Sequence, residues 1–400
     1  MLGAGLQAVE GIEQLRQQNW FIVGCDGDEN APGFSHCDDQ IVASVYHAEE
    51  CVPAVARYHE QVRNIDGVMC LAVDTPHVVA RIAERLGLIG LPVEIADLGI
   101  DKIAMKRRFN QHNVPTSIFD EIASPSELIS FATAHGPTVV VKPVDSRGSK
   151  GVSLVHDSTG LEPAYAYARD WSPTGRVMVE AFLPGPQLST ESVVLGGIAH
   201  TIGISDRNYE LLEKYAPHII ENGGELPSVL PNPDVESARE AIQMVADAFA
   251  ITDGVIKGDI VINDGVALVI EVALRLSGGY FCSYSIPLNT GISTIIPTAK
   301  IALGLPVAES DLIPTRQDFV VQRYIFPEPG RVKSVSGLEA AMALPGVAHA
   351  EVWVRAGDQI VPPENAGGSA GMVITCAKNR SDAHVAMQCA LSTIQIETAG

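Results

Sequence analysis

Asp259, Glu271 and Arg275 lie in one stretch, KGDIVINDGVALVIEVALRLSGG (Lys257 to Gly279), whose β-rich halves flank Asn263-Asp264-Gly265. Those three residues read as a hairpin turn, with the glycine available for a left-handed backbone. A three-residue loop pairs Val266 with Ile262 and sets Asp259 opposite Val269, so that Asp259 and Glu271 become diagonal neighbours on one face. Alternation along the strand adds Ala273 and Arg275 to that face. Two carboxylates aimed at one point suit Mg²⁺, which binds through one or two carboxylates plus substrate phosphates. A two-residue loop shifts the register by one and sends the acids to opposite faces. Solvated acids on an edge hairpin are the competing reading, and the hairpin alone does not decide.

A polyanionic ligand also needs cations. DKIAMKRRFNQHNVPT (Asp101 to Thr116) gathers four Lys/Arg and His112 in a short helical span, although a charge run of this kind equally describes a solvated helix face. Lys142 ends the apolar strand Thr138–Lys142, where a charge calls for a partner. Immediately afterwards Asp145-Ser146-Arg147-Gly148-Ser149-Lys150-Gly151 combines small residues with two cations. Successive backbone N–H groups in such a loop can cradle phosphate oxygens. The GxxxxGK[ST] spacing of a Walker A loop is absent, and a plain hairpin loop is the alternative. The opening Gly3-Ala4-Gly5-Leu6-Gln7-Ala8 fits the dinucleotide fingerprint GxGxxA, with Asp26 placed 21 residues beyond Gly5. Only Met1-Leu2 precedes it where a strand belongs, so these residues read first as a structural turn. A start upstream of Met1 would supply the missing strand.

Holding such groups in place takes packed elements. Four hundred residues, 46% of them hydrophobic, with 36 Gly and 25 Pro, describe a soluble α/β chain of several domains. The formal charge of −21 excludes a nucleic-acid partner, because no basic surplus exists to displace counterions. No apolar run reaches the ~18 residues of a membrane span, and Glu10 interrupts any signal-like segment. The seven cysteines are scattered without a CxxC pair, which argues against zinc and for the reducing cytoplasm. Strands at Trp20–Cys25 and Asp66–Val73 alternate with helices at Leu6–Gln17, Ala48–Val62 and Pro76–Leu86, predicting a parallel sheet with helices on both faces. Further on, the pattern predicts a strand over Val177–Leu183, a helix over Val235–Ala250 and another over Thr290–Leu305. Asp206–Pro231 reads as a long Gly/Pro-containing connection, functional or mobile.

In chain order, Lys102, Lys142, the Gly148–Gly151 loop, Glu180, Glu191, Asp259, Glu271 and Arg275 resemble the ATP-grasp superfamily, and the resemblance covers nearly the whole chain. It implies an α/β and α+β multidomain fold: a Rossmann-like preATP-grasp domain over 1–98, a small ATP-grasp subdomain over 99–190, a large subdomain over 191–305 and an α+β domain over 306–400. It implies that Lys102 and Lys142 contact ATP phosphates and that Ser146, Gly148, Ser149 and Gly151 close over the nucleotide. Glu180, Ala181, Phe182 and Leu183 would hold adenine, and Glu191 would lie near the ribose. Asp259 and Glu271 would carry Mg²⁺ or Mn²⁺. Arg275, with Ser277 and Gly278 beside it, would meet the transferring phosphate and acyl group. One position departs: the family pattern is often E-x-N-x-R, and here Ala273 replaces the asparagine, removing an oxygen ligand from a second metal site.

The resemblance is strongest to stand-alone carboxylate–amine ligases, including L-amino-acid ligases. It implies that a carboxylate is activated as an acyl phosphate and passed to an amine, both small molecules, with a homodimer as the expected assembly. In HIIENGGELP (His218 to Pro227), Glu221 is the candidate for a substrate amino group, with a solvated loop acid as the alternative. Two other readings stand: a nucleotide-binding regulatory or inactive relative, favoured by Ala273, and a dinucleotide-dependent oxidoreductase, favoured by Gly3–Ala8 and Asp26.

Overall fold

A computed structural model describes residues 1–399. The N-terminal unit contains α1 (Val9–Arg16), β1 (Val23–Asp26), β2 (Asp39–Val42), α2 (Ala48–Gln61), α3 (Pro76–Leu86) and α4 (Val93–Leu98). β1 and β2 run parallel, and Leu2 bridges in parallel to both Cys25 and Cys70. The strand expected over Asp66–Val73 is reduced to single bridges at Cys70 and Leu71. Its apolar side chains still fill the core: Val68 and Cys70 pack with Val55, Val78 and Ile82. The glycine turn is structural. Both Asp26 oxygens accept backbone N–H groups, from Ala4 at 2.7 Å and Asp28 at 3.1 Å, so this acid is not free to hold a ribose.

The next unit comprises α5 (Lys102–Gln111), β3 (Phe119–Ile122), α6 (Pro125–His135), β4 (Val139–Pro143), β5 (Ser153–Val155), α7 (Leu161–Asp170) and β6 (Val177–Ala181). Its four strands form an antiparallel sheet in the order β3-β6-β4-β5. Val139, Val141, Val177 and Val179 pack one face against Leu128 and Phe131 of α6 and Leu161 and Ala164 of α7. Strand alternation then turns Lys142 and Glu180 to the opposite face, toward a cleft.

The remainder is built from β7 (Gln187–Leu195), β8 (Ile198–Asn208), β9 (Gly223–Leu226), α8 (Asn232–Ala248), β10 (Gly254–Asn263), β11 (Val266–Ala273), α9 (Ile286–Thr290), α10 (Ile295–Ala302), β12 (Phe319–Ile325), β13 (Gly330–Ser336), α11 (Leu338–Met342), β14 (Val347–Val352), β15 (Gln359–Ile360), β16 (Gly371–Ala377), α12 (Arg380–Thr393) and β17 (Gln395–Ala399). One sheet of eight strands, β11-β10-β7-β8-β9-β12-β16-β14, runs through it. This sheet ignores two expected boundaries. The division at 190/191 falls inside β7, and that at 305/306 is crossed where β12 pairs with β9. Residues 206–231 carry β9 as well as loop, and the expected helix over 290–305 is realised only as α10, because Gly291, whose φ is +78°, ends α9 at Thr290. Behind the hairpin, Ala238, Ala241, Ile242 and Val245 of α8 pack on Ile256, Ile260, Val269 and Val272. A Cβ on Gly258 would lie 2.5 Å from Ile242, so the helix can approach only over glycine.

Candidate active site

The hairpin closes through two residues, Asp264 and Gly265, both with positive φ, and Asn263 pairs with Val266. This is the register that should separate the acids, and a β-bulge reverses it. Ile260 pairs with Val269, but the next pair is Asp259 with Glu271, leaving Ile270 as an extra residue. Val269 and Val272 stay in the core, while Ile270, Glu271 and Ala273 all line the cleft. The acids therefore share one face as direct cross-strand partners, not as the diagonal neighbours expected.

The cleft holds about 630 Å³ between the two sheets and the N-terminal unit. In a chain with a large acidic surplus it is lined by seven Lys/Arg against six Asp/Glu. A smaller cavity of about 340 Å³, at the other end of the N-terminal strands, is lined mainly by apolar side chains such as Leu15, Ile22, Val68 and Leu303 and lacks such convergence.

Glu180 sits between two ammonium groups, Lys142 at 2.8 Å and Lys106 at 3.3 Å, all three nearly inaccessible to water. Burial alone would raise the Glu180 carboxyl, but Lys106 and Lys142 hold it below its usual range. Burial also disfavours the charge on Lys142, and Glu180 and Glu271 outweigh it, raising its pKa. Lys106 is not so well compensated and falls to about 8, chiefly through burial. The sequence pointed to Glu180 as an adenine contact; its carboxylate is instead the counter-charge that fixes Lys142. Along the following hinge, the Ala181 and Phe182 amides are bonded to Ile118 and Thr138. Among the described residues the Leu183 amide has no backbone partner.

Lys102 donates to the Ser146 carbonyl at 2.6 Å and lies 3.7 Å from Glu271. The loop from Ser146 to Lys150 lines the cleft, and Arg147 lies 3.6 Å from the centre of the Tyr46 ring, tying the loop to the N-terminal unit. Gly148 and Ser149 both have positive φ. Gly151 does not line the cleft. It packs against Pro143 and Trp171, where a Cβ would approach to 2.6 and 2.7 Å, and serves as the loop's anchor.

Arg275 bonds Asp74 of the N-terminal unit through Nε at 2.7 Å and its own segment through the Leu276 carbonyl. Both Arg275 and Glu221 line the cleft as expected. Three other expectations are corrected. Glu191 is fully buried and accepts the Ser277 N–H at 3.2 Å, behind the cleft wall. Burial, only partly offset by the Ser277 donors, raises its carboxyl to about 7. Ser277 is itself buried, and Gly278 faces Gln7 and Ala72; neither lines the cleft.

Some site residues were not foreseen. Arg207 on β8 bridges Asp259 and Glu221, and Lys257 pairs with Asp259. Lys257 was legible, since it lies two residues before Asp259 and so on the same face. Arg207 and Asp74 arrive from elements distant in sequence, and no spacing announces them. Burial opposes the charge on Glu271, yet Lys102, Lys142, Lys257 and Arg207 together hold its pKa at about 2. It is ionised at any working pH. No cluster of three His, Cys, Asp or Glu suited to a metal occurs among the described residues. Asp259 and Glu271 nonetheless fit Mg²⁺, provided phosphates and water supply the other oxygens.

Residues 100–279 match the family model of the ATP-grasp domain, and residues 323–399 match that of the L-amino acid ligase C-terminal domain 2. Residues 100–279 are thus an ATP-grasp domain. The proteins the chain resembles include ligases. The uncharacterized protein y4rH of Sinorhizobium fredii is 26% identical over 83% of this chain and 68% of its own length. The D-alanine–D-alanine ligase of Gloeobacter violaceus is 27% identical over 47% of this chain and 64% of its own. The chain thus spans about two thirds of either relative. The crystal structure of an L-amino acid ligase from Bacillus licheniformis has the same fold, with a TM-score of 0.83 at 20% identity, covering 100% of this chain and 98% of that one. No helix among the described residues is long and apolar enough to cross a membrane.

Proposed function

We propose that this ATP-grasp protein is a ligase that uses ATP and a divalent metal to join the carboxylate of one amino-acid substrate to the amino group of another. The observation that supports this most directly is the facing pair Asp259 and Glu271, set within reach of Lys102, Lys142, Lys257 and Arg207. Fixed acids for a metal and fixed cations for phosphates converge there, and the polar lining continues past Arg275 and Glu221. Phosphoryl transfer asks little covalent chemistry of a protein; positioning and charge neutralisation carry it.

On this reading Lys142, held by Glu180, and Lys102, held by Ser146, bind phosphate oxygens. The glycine loop closes the cleft and excludes water from the reactive intermediate. Asp259 and Glu271 would hold Mg²⁺, which when bound would supply positive charge against the phosphates. A substrate carboxylate oxygen attacks the γ-phosphorus, the bond to the β-bridging oxygen breaks, and ADP leaves. The amine nitrogen then attacks the acyl carbon, and phosphate departs with the electrons of the acyl C–O bond. The amine proton is released in the same step. Arg275, aimed by Asp74, lies where it can stabilise the acyl phosphate and then the oxyanion of the tetrahedral intermediate. On the same reading Glu221, now paired with Arg207, would receive a substrate ammonium in its stead.

Substrate carboxylate labelled with ¹⁸O tests the chemistry. One labelled oxygen should appear in inorganic phosphate as the amide forms; label retained wholly in the organic product contradicts an acyl phosphate. A second reading, a nucleotide-binding protein without turnover, is favoured by Ala273 and by the cations on Asp259. It predicts bound ATP with no ADP released by any substrate.

A further inference from the structure

Each Asp259 carboxylate oxygen is engaged by a cation of this chain: Oδ1 by Arg207 Nη1 and Oδ2 by Lys257 Nζ. Glu271 differs. Its one close cation is the Lys102 ammonium at 3.7 Å, and its side chain is 36% exposed. Lys257 follows the alternation that turns Asp259 into the cleft, and its direct cross-strand partner is Ala273. A methyl group at 273 offers neither an oxygen ligand nor a charge to draw Lys257 away from Asp259. The row Lys257–Asp259 opposite Ala273–Glu271 therefore presents two acids and one resident ammonium, with Arg207 on the other Asp259 oxygen.

A divalent ion seated beside Ala273 would find no oxygen on that residue. It would also meet the ammonium of Lys257, the direct cross-strand partner of Ala273, with twice the repulsion a monovalent ion feels. Mg²⁺ gives up water only for well-placed oxygens. An ammonium already ion-paired with Asp259 needs neither concession, and its N–H donors can turn to phosphate.

Resting on the reading of this cleft as a nucleotide site, we infer that Lys257 is a resident phosphate-facing cation that takes the place of a second divalent ion, so that the site loads one metal ion per nucleotide. Glu271, the acid with no cation closer than 3.7 Å, would be that ion's principal ligand. Lys257 is a binding residue for the phosphates, not a spectator of the hairpin.

The test counts metal directly and needs no turnover. The full chain is saturated with the β,γ-imido analogue of ATP, and bound Mn²⁺ is counted by electron paramagnetic resonance. One Mn²⁺ per bound nucleotide is expected for the wild type, and two in Lys257→Met/Ala273→Asn, where an oxygen replaces the ammonium. Lys257→Met alone should weaken nucleotide binding about tenfold, the loss of one charge-assisted hydrogen bond, and Lys257→Arg should restore it. Two ions in the wild type, one in the double variant, or unchanged affinity in Lys257→Met each overturn the inference while leaving the nucleotide site standing. Absence of nucleotide binding by the wild type overturns both.

Discussion

Asp259 and Glu271 face each other across the hairpin because Ile270 is accommodated as an extra residue in β11. The two-residue turn alone would have put them on opposite faces of the sheet. The bulge is thus what joins turn chemistry to metal chemistry, and it predicts an unusual phenotype. Deleting Ile270 closes the ladder so that Glu271 follows Val269 directly and still faces Asp259. A folded variant should therefore keep ADP release within about tenfold, whereas Glu271→Gln, which keeps the shape and removes the charge, should lose at least about 100-fold. Circular dichroism and thermal melting would establish that the variant folds. Loss of turnover in a folded Ile270 deletion, or survival of turnover in Glu271→Gln, would show that the pairing is not what the site requires.

The buried triad of Lys106, Glu180 and Lys142 predicts an order of stabilities. Glu180→Gln leaves two buried ammonium groups without counter-charge and should cost about 3–5 kcal/mol. Lys106→Met leaves Glu180 paired with Lys142 and should cost clearly less. Urea unfolding of the two variants checks the order, and equal losses would contradict it.

Asp74 reaches from the N-terminal unit to aim Arg275. Asp74→Asn keeps the shape but weakens a charge-assisted bond to a neutral one, so kcat should fall about tenfold with nucleotide affinity little changed. A loss confined to nucleotide binding would place Arg275 elsewhere in the reaction.

Glu191 predicts a pH effect on stability. Its carboxyl titrates near pH 7 in the folded chain, against an ordinary value of 4.5. Between these values the folded state keeps a proton that the unfolded state has released. Stability from this group is complete below about pH 4.5 and is lost as pH rises toward 7, a change on the order of 3 kcal/mol. Glu191→Gln is neutral throughout, so its melting temperature should fall less than that of the wild type between pH 5 and pH 8. Parallel slopes would refute the assignment.

The parts of the site legible in sequence were those with local periodicity. Lys142 stands at the end of a β-branched strand whose alternation turned it to the cleft, and the acids were visible as a hairpin pair. Their register was not, because a bulge at Ile270 leaves no signature in residue type, and the two-residue turn argued the other way. Glu191 was misread for a related reason: it belongs to a strand crossing the wall of the cleft, and only the packing of Ser277 and Thr294 around it reveals that it faces inward. Arg207 and Asp74 were invisible. Each meets its partner across a long sequence separation, 52 residues to Asp259 and 201 to Arg275. At the scale of the fold, alternation located most helices and central strands, while the continuity of the eight-stranded sheet through β9 and β12 depends on tertiary pairing.

The central claim, an ATP-dependent ligase of amino-acid substrates, is tested most directly by ADP release. MgATP would be supplied with amino acids singly and in pairs, to the wild type and to Asp259→Asn/Glu271→Gln. A particular pair should stimulate release and yield the condensed product with the wild type, and the double variant should be silent. No stimulation by any pair, or ADP release that survives the double substitution, would contradict it.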